Sequence, residues 1–186
     1  LQGKTSQVDR LILANALDAA QGWLAQGMRS SKVCVNVAPV TLLEPDFAQW
    51  LGAKLRRRGL PWGMLQLELT EHAIIACGAH MVQAINDLRT LGVGVFMDDF
   101  GAGYSSLGVL ADLPISGIKC DRLFVRQLPQ DPRRQSLLRH VVRLARDLQL
   151  EVVVEGVETE QELQSVLESG IGNVQGYFFS KAMPPE

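Results

Sequence analysis

The chain has 186 residues, of which 47% are hydrophobic and 20% charged, and this composition excludes disordered and fibrous classes. A net charge of -2 and a pI near 6.0 exclude a broad basic surface for duplex DNA or RNA, so a nucleotide ligand would need a local site. No stretch approaches the roughly 18 consecutive apolar residues of a membrane span, and Leu1 to Val8 do not resemble a signal peptide. We therefore expect a cytoplasmic segment, whether or not a membrane sensor is attached upstream.

The three cysteines form no CxxC pair, and Cys34 and Cys120 lie in apolar runs typical of strands. This pattern predicts small core residues with free thiols in a reducing compartment.

Apolar periodicity predicts that helices and strands alternate along the whole chain. The predicted helices cover residues 6–26, 47–59, 81–88, a short stretch after Ser105, 135–148 and 160–169. The predicted strands cover residues 32–38, 65–69, 93–97, 117–121, 151–154 and 173–179. The spacing of Thr159 and Glu162 predicts a capping box at the start of the last helix.

Repeated strand–helix units without a linker predict an α/β fold, with a parallel sheet that is either closed into a barrel or doubly wound. No boundary divides residues 1–186 in the sequence, so one domain is expected. About six strands are predicted, whereas a complete eight-fold barrel typically needs ~250 residues. We therefore expect the N-terminal part of the barrel to precede Leu1.

A polar or charged side chain stands at the end of nearly every predicted strand. These residues are Asn36, Glu68, Asp98, Asp99, Lys119, Glu155 and Gln175. Because side chains alternate along a strand, Glu68 shares a face with Gln66 and opposes Leu67. The carboxyl ends of barrel strands form the catalytic face, so we expect these groups to converge there.

Taken alone, each of these groups fits a helix cap or a simple ion pair as well as it fits a catalytic site. Four carboxylates at one mouth would repel by roughly 4 kcal/mol per adjacent pair at ~4 Å, which Lys119 alone cannot offset. Bound cations would relieve this repulsion. Oxygen ligands without clustered His or Cys favour Mg²⁺ or Mn²⁺ over Zn²⁺, and a bridging Asp suits a two-ion site for displacement at a phosphodiester.

The segment from Asp98 to Leu107, DDFGAGYSSL, resembles a loop of the EAL domain family of cyclic di-GMP phosphodiesterases. Further matches occur in the family's order: Val35-Asn36-Val37, Glu68-Leu69-Thr70-Glu71, Lys119-Cys120-Asp121-Arg122, Glu155-Gly156-Val157-Glu158 and Val174-Gln175-Gly176-Tyr177. The family's Glu-Ala-Leu strand, with a metal-binding Glu and a phosphate-binding Arg, has no counterpart in this sequence and would lie before Leu1.

The resemblance implies a TIM-like (β/α) barrel that hydrolyses cyclic di-GMP to linear pGpG in bacterial second-messenger signalling. It implies two Mg²⁺ or Mn²⁺ ions, with Ca²⁺ as an inhibitory substitute. The implied ligands are Asn36, Glu68 and Asp98 for one ion and Asp98, Asp99 and Glu155 for the other. The implied partners are cyclic di-GMP, a second copy of the chain, and an upstream sensor or GGDEF-type domain.

The resemblance also assigns roles around the ions. Lys119 would position or help to deprotonate the attacking water, beside Asp98 and Glu155 as the other catalytic residues. Glu71 would steady the loop that begins at Asp98, and that loop would couple metal binding to dimerisation. Three further residues would support the site or the substrate: Gln175, Asp121 and Glu158.

Two other functions remain open. One is a catalytically inactive receptor for cyclic di-GMP, and the other, which fits the adjacent Asp98 and Asp99 less well, is an enolase-like barrel in which acids hold Mg²⁺ and a Lys abstracts a proton. Other features favour ordinary structural roles. These are a Gly101–Gly103 loop without a Walker lysine, Ser105 and Ser106 without a nucleophile elbow, the scattered His72, His80 and His140, and the basic helix end from Lys54 to Arg58.

Overall fold

The structure is a computed structural model that describes residues 2–28, 32–103 and 107–183. Within these residues there are seven α-helices and six β-strands, which alternate along the chain except that α2 and α3 both lie between β1 and β2. The strands are β1 Val33–Asn36, β2 Leu65–Thr70, β3 Gly94–Phe100, β4 Gly117–Cys120, β5 Glu151–Val154 and β6 Asn173–Val174. The helices are α1 Gln2–Ala25, α2 Pro39–Leu42, α3 Phe47–Arg58, α4 Glu71–Thr90, α5 Leu107–Asp112, α6 Pro132–Asp147 and α7 Glu160–Glu168. Short 3₁₀ helices cover Trp62–Met64, Arg122–Phe124 and Leu128–Gln130.

The strands form one six-stranded sheet in which neighbours follow the order of the chain from β1 to β6. β1 runs parallel to β2, with Asn36 opposite Glu68. β4 runs parallel to β5, with Lys119 opposite Val153, and β5 runs parallel to β6. A parallel sheet in chain order with helical crossovers is the α/β arrangement that the sequence predicts.

The chain packs as two compact units, Leu1–Phe96 and Met97–Glu186. In the first unit, α1 contacts β1, α2 and α3 through a core that includes Leu13, Leu17, Phe47, Leu51, Leu55, Leu67 and Ile85. In the second unit, α6 contacts β5 and a core forms from Val125, Leu128, Leu138, Val142, Val154, Val157 and Val166. Among the described residues, no helix combines the length and the apolar character that crossing a membrane requires.

Several element boundaries differ from the sequence prediction, helix α2 was not predicted, and the two largest differences are at the start of α4 and the end of β6. The helix predicted from residue 81 begins at Glu71. The prediction missed its first part because Gly78, with φ 53° and ψ −136°, kinks α4 and interrupts the apolar period. The last strand ends at Val174 instead of residue 179. There the chain turns, and the N–H of Phe178 donates to the carbonyl of Val157 at 3.0 Å, which removes Phe178 from the sheet ladder.

The prediction of buried cysteines is correct for Cys120 and wrong for Cys34. Cys34 is exposed because it lies on the same face of β1 as Asn36, and β1 is the edge strand of the described sheet. Its thiol contacts Oε1 of Gln66 at 3.3 Å. Burial raises the pKa of the Cys120 thiol to about 12, so this thiol stays protonated and unreactive at neutral pH.

The predicted capping box of α7 is confirmed. The N–H of Glu162 donates to the Thr159 hydroxyl at 3.3 Å, and Oε2 of Glu162 accepts from the N–H of Thr159 at 3.1 Å. This box fixes the start of α7 a few residues after β5 ends, and so defines the course of the loop that carries Glu155.

Candidate functional site

In the first unit, Asn36 and Glu68 stand side by side near the carboxyl ends of two neighbouring strands. They are register partners in β1 and β2, and Nδ2 of Asn36 donates to Oε2 of Glu68 at 3.3 Å. Glu68 is buried, whereas Asn36 is exposed. The pair presents an amide and a carboxylate on one face, and both groups have oxygen atoms of the kind that hard divalent cations prefer.

Glu71 is the first residue of α4 and is buried, with 4% of its surface exposed. Few carboxylates are buried to this degree without a structural or functional partner. Its assigned role, support of the loop at Asp98, stays a prediction.

In the second unit, Lys119 joins two acids from the neighbouring strands. Nζ of Lys119 lies 2.5 Å from Oε1 of Glu155 and 3.7 Å from Oδ1 of Asp98. Only 7% of the Lys119 side chain is exposed, against 13% for Asp98 and 24% for Glu155. Since an unpaired charge at this depth would be costly, the three groups hold one another in place.

Backbone bonds fix where these three side chains begin. Asp98 belongs to β3 and Lys119 to β4, whose residues are all buried. Glu155 follows β5, and its N–H donates to the carbonyl of Cys120 at 3.0 Å, which extends the β4–β5 ladder by one residue. The three groups therefore project from the carboxyl ends of their strands, as the alternation of the sequence predicts.

Asp99 places a second carboxylate directly after Asp98. Its backbone is left-handed, with φ 54°, a conformation that Asp tolerates better than most residues, and its N–H donates to Oδ1 of Asp98 at 3.0 Å. Burial raises the pKa of the Asp99 carboxyl, the charges of Asp98 and Asp121 raise it further, and Lys119 only partly opposes them. The cluster therefore carries an excess of negative charge that a bound cation would neutralise.

Gly101 explains how the chain leaves Asp99. Its φ is 89°, and a Cβ at this position would overlap the ring of Phe124. Phe124 stacks on Phe100 with ring centroids 6.2 Å apart. The glycine thus allows the loop to press against an aromatic pair, and this contact holds the segment next to Asp98 and Asp99.

The supporting residues expected from the sequence are placed less centrally. Asp121 accepts from the N–H of Leu123 at 2.8 Å and so caps the following 3₁₀ helix. Gln175 is exposed, and its N–H bonds to the carbonyl of Val154 at 2.8 Å. Glu158 is also exposed. Their roles toward a ligand stay predictions.

A polar cavity that the sequence analysis did not anticipate lies in the same unit. It has a volume of about 360 Å³ and is lined by Arg122, Arg126, Gly156, Glu158 and Glu162. The sequence motifs include Arg122 without a role for it, and they do not include Arg126. The sequence contains one signal for this cavity, two arginines four residues apart just after a predicted strand. Such a pair indicates a candidate anion site, because guanidinium groups suit phosphate oxygens.

The remaining sequence candidates stay outside this cluster. His72, His80 and His140 are exposed, which agrees with the expected surface roles. Lys54 lies over the ring of Trp50, and Arg58 pairs with Asp18, so the basic helix end is a solvated surface of α3. Ser105 and Ser106, expected to cap α5, lie outside the described residues.

The donor set is compatible with hard cations. Asp98, Asp99 and Glu155 offer carboxylate oxygens only, which Mg²⁺ and Mn²⁺ accept and which Zn²⁺ sites rarely use alone. In residues 2–28, 32–103 and 107–183, however, no three His, Cys, Asp or Glu side chains already converge on a common point. Lys119 contacts two of the acids, so it would share Asp98 and Glu155 with a bound cation.

Comparisons with known proteins identify relatives of the whole chain. The sequence profile of the EAL domain matches residues 1–182. The chain is 38% identical over 163 residues to the cyclic di-GMP phosphodiesterase RocR of Pseudomonas aeruginosa, a match that covers 88% of this chain and 42% of RocR. The chain thus spans less than half the length of that relative.

Solved structures of this family have the same fold. The EAL domain of Mycobacterium smegmatis DcpA superposes with a TM-score of 0.88 at 34% identity, covering 95% of this chain and 79% of that one. Klebsiella pneumoniae BlrP1, solved in complexes with cy-diGMP and either manganese or calcium, gives a TM-score of 0.87 at 32% identity, covering 95% of this chain and 44% of BlrP1. These matches confirm the TIM-like fold class and the resemblance inferred from the motifs. The chain belongs to the EAL domain family.

Proposed function

We propose that the protein containing this chain hydrolyses cyclic di-GMP to linear pGpG. The observation that carries the proposal is the buried contact of Lys119 with both Asp98 and Glu155, next to a second aspartate whose carboxyl pKa is raised. A lysine among clustered acids at strand ends is suited to act on a water molecule beside cations. Relatives that are phosphodiesterases for this dinucleotide support the same conclusion.

The proposed metal ligands are the residues assigned by the family resemblance. Asn36, Glu68 and Asp98 would bind one ion, and Asp98, Asp99 and Glu155 would bind the other. Mg²⁺ or Mn²⁺ fits the oxygen donors, and Ca²⁺ is expected to inhibit, since its looser coordination suits catalysis less well. When bound, the ions would polarise the phosphodiester and lower the pKa of a bound water.

Within the chain, Lys119 is proposed to orient the attacking water and help to remove its proton. Its contact with Glu155 sets the direction of the ammonium, and its burial removes competing solvent. Gln175, Asp121 and Glu158 are proposed to support the substrate or the site. Glu71 is proposed to steady the loop that starts at Asp98.

The rest of the domain, its partners and its location are also part of this proposal. We infer that residues 1–186 belong to an EAL domain whose Glu-Ala-Leu segment supplies a further metal-binding Glu and a phosphate-binding Arg. The expected partners are a second copy of the chain and an upstream sensor or GGDEF-type domain, in the cytoplasm or attached to a membrane sensor. The support is the family membership and the fraction of each relative that the chain spans.

The test is to incubate the full-length protein with cyclic di-GMP and Mg²⁺ in H₂¹⁸O and to identify the products by mass spectrometry. Hydrolysis of a single phosphodiester predicts pGpG that carries one ¹⁸O atom in its terminal phosphate. Binding of cyclic di-GMP without any product would support the receptor function instead. Turnover of neither this dinucleotide nor its linear form, with no binding, would contradict the proposal and reopen the enolase-like alternative.

A further inference from the structure

Asp9, on helix α1, is a buried acid to which the sequence analysis assigned no role. It is 8% exposed. Its Oδ2 accepts from the N–H of Ala38 at 3.0 Å and from the hydroxyl of Thr41 at 2.5 Å. Thr41 is fully buried and also lies 3.4 Å from the hydroxyl of Ser6. One carboxylate from α1 thus binds two donors at the start of α2, all within the first unit.

The start of α2 has no local cap of its own. Its N-cap residue is Ala38, which has no hydrogen-bonding side chain, and its first helical residue is Pro39. In α7 the corresponding N-cap N–H, that of Thr159, is bound by Glu162 three residues later. Asp9 does the same for Ala38 from 29 residues away in the chain. It therefore supplies, from another helix, one of the two hydrogen bonds of a capping box, the acceptor for the N-cap N–H.

This contact lies two residues after the proposed metal ligand Asn36. The N–H of Val37 bonds to the carbonyl of Glu68 at 3.1 Å, and the N–H of Ala38 bonds to Asp9. Two consecutive peptide groups after Asn36 are thus bound, one by β2 and the next by α1. The exposed Asn36 side chain donates to Glu68 at 3.3 Å, and its direction also depends on this fixed backbone, from which it starts.

We propose that Asp9 is a positioning residue that sets the direction of Asn36 for divalent-cation binding. The inference rests on the proposed function, in which Asn36 is a ligand. In this role Asp9 is not itself a metal ligand, and it acts through its hydrogen bonds with the backbone of Ala38 and the hydroxyl of Thr41. Groups that orient a ligand in this way typically change metal affinity about 10–100-fold when they are removed.

The test measures Mn²⁺ binding directly, by the loss of the electron paramagnetic resonance signal of free Mn²⁺, on the full-length protein without substrate. Asp9→Ala is expected to weaken binding at the affected site by about tenfold. The matched control is Asp18→Ala on the same helix, which removes a contact with Arg58 at 2.7 Å on the exposed surface. The control should leave Mn²⁺ affinity unchanged.

A double-mutant cycle separates this inference from the ligand assignment. If Asp9 acts through Asn36, Asp9→Ala should add little to the loss already caused by Asn36→Ala. Independent, multiplying losses would overturn the positioning role. A normal Mn²⁺ affinity in Asn36→Ala would instead refute the assignment of Asn36 as a ligand, so the two failures are distinguishable.

Asp9→Asn covers the case in which Asp9→Ala does not fold. It keeps an oxygen acceptor but loses the charge that strengthens both hydrogen bonds. It should weaken Mn²⁺ binding less than Asp9→Ala and more than Asp18→Asn. Equal Mn²⁺ affinities in folded Asp9→Asn and Asp18→Asn would contradict the proposal.

Discussion

The ammonium of Lys119 lies 2.5 Å from Oε1 of Glu155, and both side chains are largely removed from solvent. The two residues come from adjacent parallel strand ends, since Glu155 directly follows β5 and Lys119 belongs to β4. The contact neutralises part of the acidic cluster and fixes the orientation of the lysine. It therefore provides a water-orienting group whose position does not depend on a flexible surface side chain.

Replacing Lys119 should affect chemistry more than binding. In Lys119→Ala, kcat is expected to fall by about 100-fold or more, because the group that acts on the water is gone. The Kd for cyclic di-GMP, measured with Ca²⁺ in place of Mg²⁺ to prevent turnover, should change little. Lys181→Ala, at an exposed lysine of the same unit, is the control. Lost binding with an unchanged kcat would assign Lys119 to substrate affinity instead.

Asp99 should make the metal-free protein less stable as the pH rises. Its carboxyl pKa is raised above the ordinary value of 3.8, so the ionised form is disfavoured in the folded state. Stability is therefore lost as the pH increases from that value through the raised one. At pH 7 in EDTA, Asp99→Asn is expected to raise Tm by about 1–3 °C. Asparagine also tolerates the left-handed backbone of this position.

The same variant should respond differently to acid and to metal. The Tm difference from wild type should shrink in calorimetry below the ordinary pKa, where Asp99 is protonated in folded and unfolded chains alike. Mn²⁺ should raise the Tm of wild type more than that of Asp99→Asn. Asp87→Asn, at an exposed acid of α4, should match wild type in both comparisons. An equal Mn²⁺ effect on Asp99→Asn and wild type would remove Asp99 from the ligand set.

Gly101→Ala is expected to destabilise the second unit. The new Cβ would overlap the Phe124 ring and would occupy a backbone position with φ 89°. Strain at a positive φ combined with overpacking should cost about 2 kcal/mol in urea unfolding. Gly172→Ala is the control, because a Cβ there has open space and its φ is not positive. Equal stability of the two variants would show that the loop adapts freely around Phe124.

The sequence predicts three strands of this fold well, for a physical reason. Apolar residues that alternate in β2 and run nearly continuously in β4 and β5 identify these strands, because at least the helix-covered face of a parallel strand must be apolar. The pairing of Lys119 with Glu155 and Asp98 follows from that pattern once the strands are adjacent and parallel. The local sequence is thus enough to predict a strand and its terminal site residue when a few consecutive residues determine the strand, its burial and its end.

Features set by distant contacts escape sequence analysis. Helix α2 has four residues, an alanine N-cap and a cap supplied by Asp9, so Pro39 at its first position is a weak local signal that does not predict it alone. The aromatic run Tyr177–Phe179 has the composition of a strand, yet Gly176 packs against the backbone of Val157 and the chain leaves the sheet. The exposure of Cys34 depends on β1 being an edge strand, which the apolar run around it does not reveal.

Asp98 is the residue on which the proposed function depends most, since it is assigned to both ions and contacts Lys119 at 3.7 Å. The most direct test is Mg²⁺-dependent hydrolysis of cyclic di-GMP by full-length Asp98→Asn, with Asp112→Asn, an exposed acid of the same unit, as the control. Activity is expected near background in Asp98→Asn and near wild type in Asp112→Asn. Activity of Asp98→Asn above roughly a tenth of wild type, with pGpG as the product, would contradict the two-ion assignment.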